Sequence, residues 1–222
     1  MASPCRIVVM ASGNGSNFQA LIDAVHSGSI LHTQIVKLFV NKKTAFAIQR
    51  AEKVGIPTEY FNMVKEGFVV AGEKDAEKVK DGRARYDAAL AQRVLEAKPD
   101  LVVLAGWMHI FSVPFLRPLE EAGVKVINLH PALPGKYDGA GAIERQYQDF
   151  KDGKLENNRA GLMIHYVIAE VDRGSPILTQ EVECREGDEL KDLEERIHAA
   201  EHELIVKATA KVVGEILARK NL

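Results

Sequence analysis

Up to about residue 130 the chain alternates short apolar runs with segments of helical spacing, and that alternation constrains the fold more than any other feature. Residues 6–11, Arg-Ile-Val-Val-Met-Ala, are continuous enough in apolar character for a buried strand. Residues 12–16 form a turn. Residues 17–25 then place Phe18, Leu21, Ile22 and Val25 on one helical face. The same rhythm predicts a strand at 34–40, a helix at 45–54, a short strand at 58–61, a helix at 83–97, and strands at 101–105 and 124–129. Residues 63–82 are rich in Lys, Glu and Asp and read as a surface excursion. Strand–helix alternation of this kind builds βαβ units and an open, doubly wound, mostly parallel sheet of the Rossmann type.

Beyond residue 150 the pattern changes. Residues 160–168 and 176–184 read as strands around a polar turn at 170–175, which is an antiparallel hairpin added to the sheet. Residues 189–218 form one long terminal helix. No internal repeat or linker divides the chain, and 222 residues suit one domain over 1–222. Its N-terminal half, about 1–100, is the candidate phosphate-binding part, and its C-terminal half, about 101–222, the candidate catalytic part.

The densest chemistry lies at Val126-Ile127-Asn128-Leu129-His130-Pro131. Alternate side chains of a strand share a face, so Asn128 and His130 project together. Proline ends the strand. The pair therefore stands at a strand end, where open α/β sheets place their ligand crevices. A carboxamide and an imidazole, both able to donate hydrogen bonds, suit an oxygen that becomes negative during a reaction. The bland alternative is a strand end whose polar residues cap a turn. Asp172, in the hairpin turn, would orient His130 and keep it charged if the fold brings them together. Otherwise it is a solvated turn residue.

A second constellation is Gly13, Asn14, Gly15, Ser16 and Asn17, between the first strand and first helix. Glycines allow the sharp turn, and successive N–H groups at a helix start attract an anion. Position 18 is Phe, so the dinucleotide fingerprint is incomplete, and no Gly-Lys-Ser/Thr follows. The turn fits a single phosphate, or else is an ordinary βα turn. After the strand at 101–105, Trp107, Met108 and Phe111 either line an aromatic ligand pocket or cover the sheet edge.

His198-Ala199-Ala200-Glu201-His202 matches a zinc-peptidase pattern. The match is discounted, because Glu201 sits at the edge of the apolar stripe formed by Leu193, Ile197, Leu204 and Ala208. A carboxylate there wants a partner, and a polar substrate is the expected one. The two histidines read as bystanders, and no metal is expected.

The formal net charge of −2 argues against a nucleic-acid binder. Two distant cysteines, Cys5 and Cys184, suit a reduced, cytoplasmic protein better than a disulfide framework. No signal-peptide pattern or membrane-spanning apolar run is present, and the chain begins directly at its first strand.

Taken together, the stretches Ile7-Val8-Val9-Met10-Ala11-Ser12-Gly13-Asn14-Gly15-Ser16-Asn17, Leu104-Ala105-Gly106-Trp107-Met108, Asn128-Leu129-His130-Pro131 and Val171-Asp172-Arg173-Gly174-Ser175-Pro176 resemble the phosphoribosylglycinamide formyltransferase family. Residues 196–201 match as well, and the resemblance runs from about residue 6 to about 210. The Leu-His-Pro-Ala-Leu-Pro-Gly form and the charged insert look like the fungal version. The resemblance implies the formyltransferase fold and a role in purine (IMP) synthesis. It implies small-molecule partners only, 5-phosphoribosylglycinamide and the co-substrate 10-formyltetrahydrofolate, in a monomer or weak homodimer. Position by position it assigns Asn128, His130 and Asp172 to catalysis. Gly13, Asn14, Gly15, Ser16, Asn17 and Glu201 go to the phosphoribosyl substrate. Arg83, Met108, His109, Ile110, Phe111, Asn128 and Val167 go to the folate. His109 stands where bacterial relatives often carry Arg. Alternatives are a sugar N-formyltransferase, a formyltetrahydrofolate deformylase, which usually carries a further N-terminal domain, and a non-catalytic phosphometabolite-binding module.

Overall fold

In the computed structural model, which describes residues 3–220, a single seven-stranded sheet runs in the order β3-β2-β1-β4-β5-β6-β7. Its strands are β1 (Cys5–Ala11), β2 (Thr33–Val40), β3 (Thr58–Tyr60), β4 (Leu101–Leu104), β5 (Lys125–His130), β6 (Arg159–Tyr166) and β7 (Pro176–Glu183). The first five are parallel, β6 pairs antiparallel with β5, and β7 pairs antiparallel with β6. The order reverses between β1 and β4, so a crevice opens beyond the carboxyl ends of these strands.

Period-two alternation divides the core into two layers. Ile7, Val9, Leu101, Val103 and Ile127 face α1 (Ser16–His26) and α6 (Leu190–Lys220). Val8, Met10, Val102, Leu104 and Val126 face α3 (Ala76–Glu96) and α4 (Val113–Glu121). The Phe18–Leu21–Ile22 face of α1 and the Leu193–Ile197–Leu204–Ala208 stripe of α6 meet the first set. Tyr86, Leu90 and Val94 of α3 and Phe115 and Leu119 of α4 meet the second. Asn128 and His130 share the parity of Val126, and so stand on the α3/α4 side.

The charged insert differs from expectation. Its second half is helix, since α3 begins at Ala76 and not at Arg83. Asp75 caps it, its carboxylate accepting from the Glu77 and Lys78 N–H groups at 3.0 and 3.3 Å. Gly82 lets the preceding turns lie against the helix, for a Cβ there would come within 2.6 Å of Val69 Cγ2. Two helices also fill segments where the apolar rhythm indicates no element. In α4 the apolar face is broken by Pro114, tolerated in the first turn, and by Pro118 inside the helix. In α5 (Ala142–Lys151) the inner face carries Ala142, Ile143, Tyr147 and Phe150 but is interrupted by the buried Gln146, which weakens the periodic signal. Short α2 (Ala47–Lys53) completes the N-terminal half.

Candidate active site

The carboxyl ends of β1, β4 and β5 bring the candidate residues to one edge of the sheet. Asn128 and His130 are joined there by Asp172 from the β6–β7 turn. Asp172 Oδ2 lies 3.4 Å from His130 Nδ1, and its Oδ1 lies 3.5 Å from Asn128 Nδ2. Asp172 adopts the left-handed region, φ 55°, which its short side chain tolerates. The Gly139 N–H, in the loop after Pro134, donates to Asp172 Oδ2 at 2.8 Å. Arg173 Nε donates to Asp138 at 2.7 Å, so this loop is tied to the turn at adjacent positions.

A fourth residue completes the cluster. His165 of β6 pairs in register with Asn128. Its Nδ1 donates to the Tyr166 carbonyl at 2.9 Å, leaving Nε2 3.2 Å from Asn128 Nδ2 and 3.5 Å from Asp172 Oδ1. A neutral His165 ring accepts from the Asn128 amide, whereas a protonated ring donates to Asp172. Sequence reasoning saw His165 only as a strand residue. Its role follows from antiparallel register, which the apolar pattern does not encode.

Burial would raise the Asp172 carboxyl pKa. Hydrogen bonds from His165 and the Gly139 N–H, with the charge of His130, outweigh that and hold it below its ordinary value. His130 behaves differently from expectation. Burial pushes its imidazole down, Asp172 and the Lys136 carbonyl push it up, and burial wins. The carboxylate therefore favours the charged ring without keeping it charged at rest. Its Nε2 faces the Lys136 carbonyl at 3.3 Å while Nδ1 faces Asp172. A neutral ring satisfies only one of these acceptors, and an imidazolium satisfies both.

At the end of β1, Gly15 takes φ 74°, and a Cβ on it would stand 2.7 Å from Ala47 Cβ. Glycine is thus required where the chain turns into α1. Helix α1 has no side-chain cap, so its first N–H groups are open to a ligand. Arg50, which the motifs did not single out, fixes the turn through the Asn14 carbonyl at 3.0 Å and Asn14 Oδ1 at 2.9 Å. Asn17 Nδ2 donates to Glu201 Oε2 at 3.0 Å, joining residues 184 positions apart. Asn17 Oδ1 is buried with no partner among the described residues. Burial pushes the Glu201 carboxyl up, against the Asn17 hydrogen bond and the nearby His198. Among the described residues no group of three or more His, Cys, Asp or Glu could hold a metal ion, His198–Glu201–His202 included.

The loop after β4 divides the residues assigned to the folate. Met108 and Ile110 are exposed, at 76% and 54%. His109 and Phe111 turn inward. His109 Nε2 meets Asp87 Oδ1 at 2.6 Å, and Phe111 stacks between Trp107 and Phe115. Their rings belong to the second core layer. Arg83 donates to the Ile110 carbonyl at 3.3 Å. Val167 is half-buried, its N–H on the Val126 carbonyl at 2.9 Å. Together with Val113, Leu116, Val126 and Ile168 it lines a cavity of about 450 Å³ alongside β5.

A family model described as formyl transferase matches residues 5–209. The chain belongs to the formyl transferase family. Phosphoribosylglycinamide formyltransferase of Schizosaccharomyces pombe is 42% identical over 94% of this chain and 97% of its own length. That of Saccharomyces cerevisiae is 42% identical over 95% of this chain and 98% of its own. The crystal structure of glycinamide ribonucleotide transformylase 1 from Symbiobacterium toebii superposes with a TM-score of 0.78. It is 29% identical and covers 97% of this chain and 90% of that one. Within the family, the chain is a member of the phosphoribosylglycinamide formyltransferases.

Proposed function

We propose that this site moves a formyl group from 10-formyltetrahydrofolate to the primary amine of 5-phosphoribosylglycinamide, in purine synthesis. The observation that carries the reading is the convergence of Asn128, His130 and Asp172 at the end of β5, with an open helix start at the end of β1 and a cavity lined by Val113, Leu116, Val126 and Val167 alongside β5. The phosphate sits on the N–H groups of the turn at Gly13, Gly15, Ser16 and Asn17. Glu201 and the free Asn17 Oδ1 accept from the ribosylglycinamide. The flat pterin enters the cavity beside Val126 and Val167, and the folate tail passes Met108 and Ile110.

The amine attacks the formyl carbon, and a C–N bond forms as the carbonyl oxygen becomes negative. Asn128 Nδ2 donates to that oxygen. The reacting form is the fraction of molecules whose His130 ring is already protonated, a form that Asp172 favours against burial and that the developing oxyanion stabilises further, so that His130 acts as a charged donor. Removing one such donor typically costs roughly 100- to 1000-fold in turnover. The amine loses its proton to Asp172, directly or through water, and the proton ends on N10 as the C–N10 bond breaks. No acyl-enzyme is formed.

The test is incubation of the purified protein with 10-formyltetrahydrofolate, with and without phosphoribosylglycinamide. Tetrahydrofolate appearing only with both substrates supports the reading. Release without the acceptor marks a deformylase instead, and no release with either mixture marks a binding module.

A further inference from the structure

We propose that Asp87 is a positioning residue for the formyl-donor site, acting through the loop that follows β4; this rests on the folate reading above. Asp87 lies on α3, is 1% exposed, and takes no part in the chemistry just described. A carboxylate so placed must be hydrogen-bonded to be tolerated. All three of its bonds go to the one loop. Oδ1 meets His109 Nε2 at 2.6 Å, and Oδ2 accepts from the Ser112 N–H at 2.7 Å and the Ser112 hydroxyl at 2.6 Å.

Arg83 stands four residues earlier on α3, on the same helical face. Its guanidinium takes the Ile110 carbonyl. Helix α3 therefore grips the loop at 109, 110 and 112 in succession. The exposed Met108 and Ile110 are the side chains left facing outward between these points. From the other side, Ser12 Oγ accepts the Met108 N–H at 2.9 Å.

The hold extends into α4. Ser112 is the N-cap residue of that helix, yet its hydroxyl makes no cap bond, being committed to Asp87. Asp87 thus sets where α4 begins, and α4 supplies Val113 and Leu116 to the cavity. The His109 ring is wedged edge-on against Tyr86 and Phe111, with centroids 5.4 and 5.5 Å away. His109 serves the donor site from behind, as the buried peg of the loop. A displacement of about 1 Å in a residue that positions substrate is enough to cost activity.

The experiment measures KM for both substrates, kcat and thermal midpoint in Asp87→Asn, His109→Ala and His109→Gln beside the wild type. Asp87→Asn should raise the folate KM about tenfold or more, with kcat and the phosphoribosylglycinamide KM within about twofold. His109→Ala should do the same. His109→Gln, which keeps a donor for Asp87, should recover most of the loss. A lower midpoint with an unchanged folate KM would make Asp87 merely structural, and equal rises in both KM values would mean general loosening. If Asp87→Asn does not fold, the two His109 variants decide by the same criteria. A wild type without folate-dependent transfer overturns the functional reading and this role with it. An active wild type with unaltered variants overturns only the role of Asp87.

Discussion

Asp172→Asn isolates the charge of the carboxylate that links His130 to His165. Asparagine keeps the shape, and its Oδ1 can still accept from the Gly139 N–H. What is lost is a negative charge 3.4 Å from His130 Nδ1, at a side chain 11% exposed. Two unit charges about 4 Å apart interact by about 1 kcal/mol in water and about 4 kcal/mol near a protein surface. A middle figure of ~2 kcal/mol is a factor of ~30 in favour of the charged ring. Burial already holds His130 below its ordinary value, and Asp172 is the largest influence opposing it. The variant should therefore carry ~30-fold less imidazolium at any pH above both pKa values. The alkaline limb of kcat should move to lower pH, and both KM values should change less. The assay is kcat against pH, with the His130 ring titrated by NMR in the same variant. A lowered His130 pKa with an unmoved rate limb would show that the charged ring is not the reacting form. An unmoved pKa would show that the Coulomb estimate is wrong.

Ser16→Asp should leave the thermal midpoint unchanged or slightly raised, since an acid at a helix start is favourable by about 0.3–1 kcal/mol. The same charge should weaken phosphoribosylglycinamide binding by tenfold or more and folate binding much less, and calorimetry with each ligand tests that division. Glu201→Gln should stabilise the free protein at neutral pH. The carboxyl's folded pKa is raised, so its ionised form costs stability above that pKa, and the cost disappears as pH falls through it. The variant should also bind phosphoribosylglycinamide roughly tenfold more weakly; a lower midpoint at pH 7 would contradict the sign. Gly174→Ala should cost about 3 kcal/mol or more, because its Cβ would land on the Tyr166 carbonyl oxygen, which is backbone and cannot yield cheaply. Urea unfolding measures the loss, and a wild-type midpoint would refute the packing argument.

The centre of the parallel half of the sheet was legible because β1 and β4 are buried on both faces and carry their signal alone. The pair Asn128 and His130 was legible for a similar reason, since two-residue spacing before a proline fixes both the face and the end of the strand. Glu201 was visible as a carboxylate beside an apolar stripe, and the structure buries it. Other features depend on how elements meet. His165 reaches Asn128 through the β5–β6 register, and Asp87 reaches His109 through the packing of α3 beside the loop after β4. Arg50 reaches Asn14 across two βα units. Each is an ordinary polar residue in its own segment, and nothing local marks it. Helices α4 and α5 were hidden by two prolines and by a buried glutamine on a half-buried inner face.

Burial is the largest influence on Asp172, His130 and Glu201 alike, yet the outcomes differ with the number of partners each keeps. Asp172 has the Gly139 N–H and two imidazoles, and its carboxyl ends below the ordinary value. Glu201 has one hydrogen bond, from Asn17, and a more remote histidine, and its carboxyl ends above. The Asp172 carboxylate is therefore stabilised in its charged form before any ligand arrives. Glu201 has only the Asn17 amide as a hydrogen-bond donor, and a substrate hydroxyl or N–H would supply a second. Such a donor favours the ionised form, so phosphoribosylglycinamide binding should release protons from the fraction of molecules in which Glu201 was protonated. The same incomplete solvation that destabilises the empty site thus becomes affinity for a hydrogen-bonding substrate.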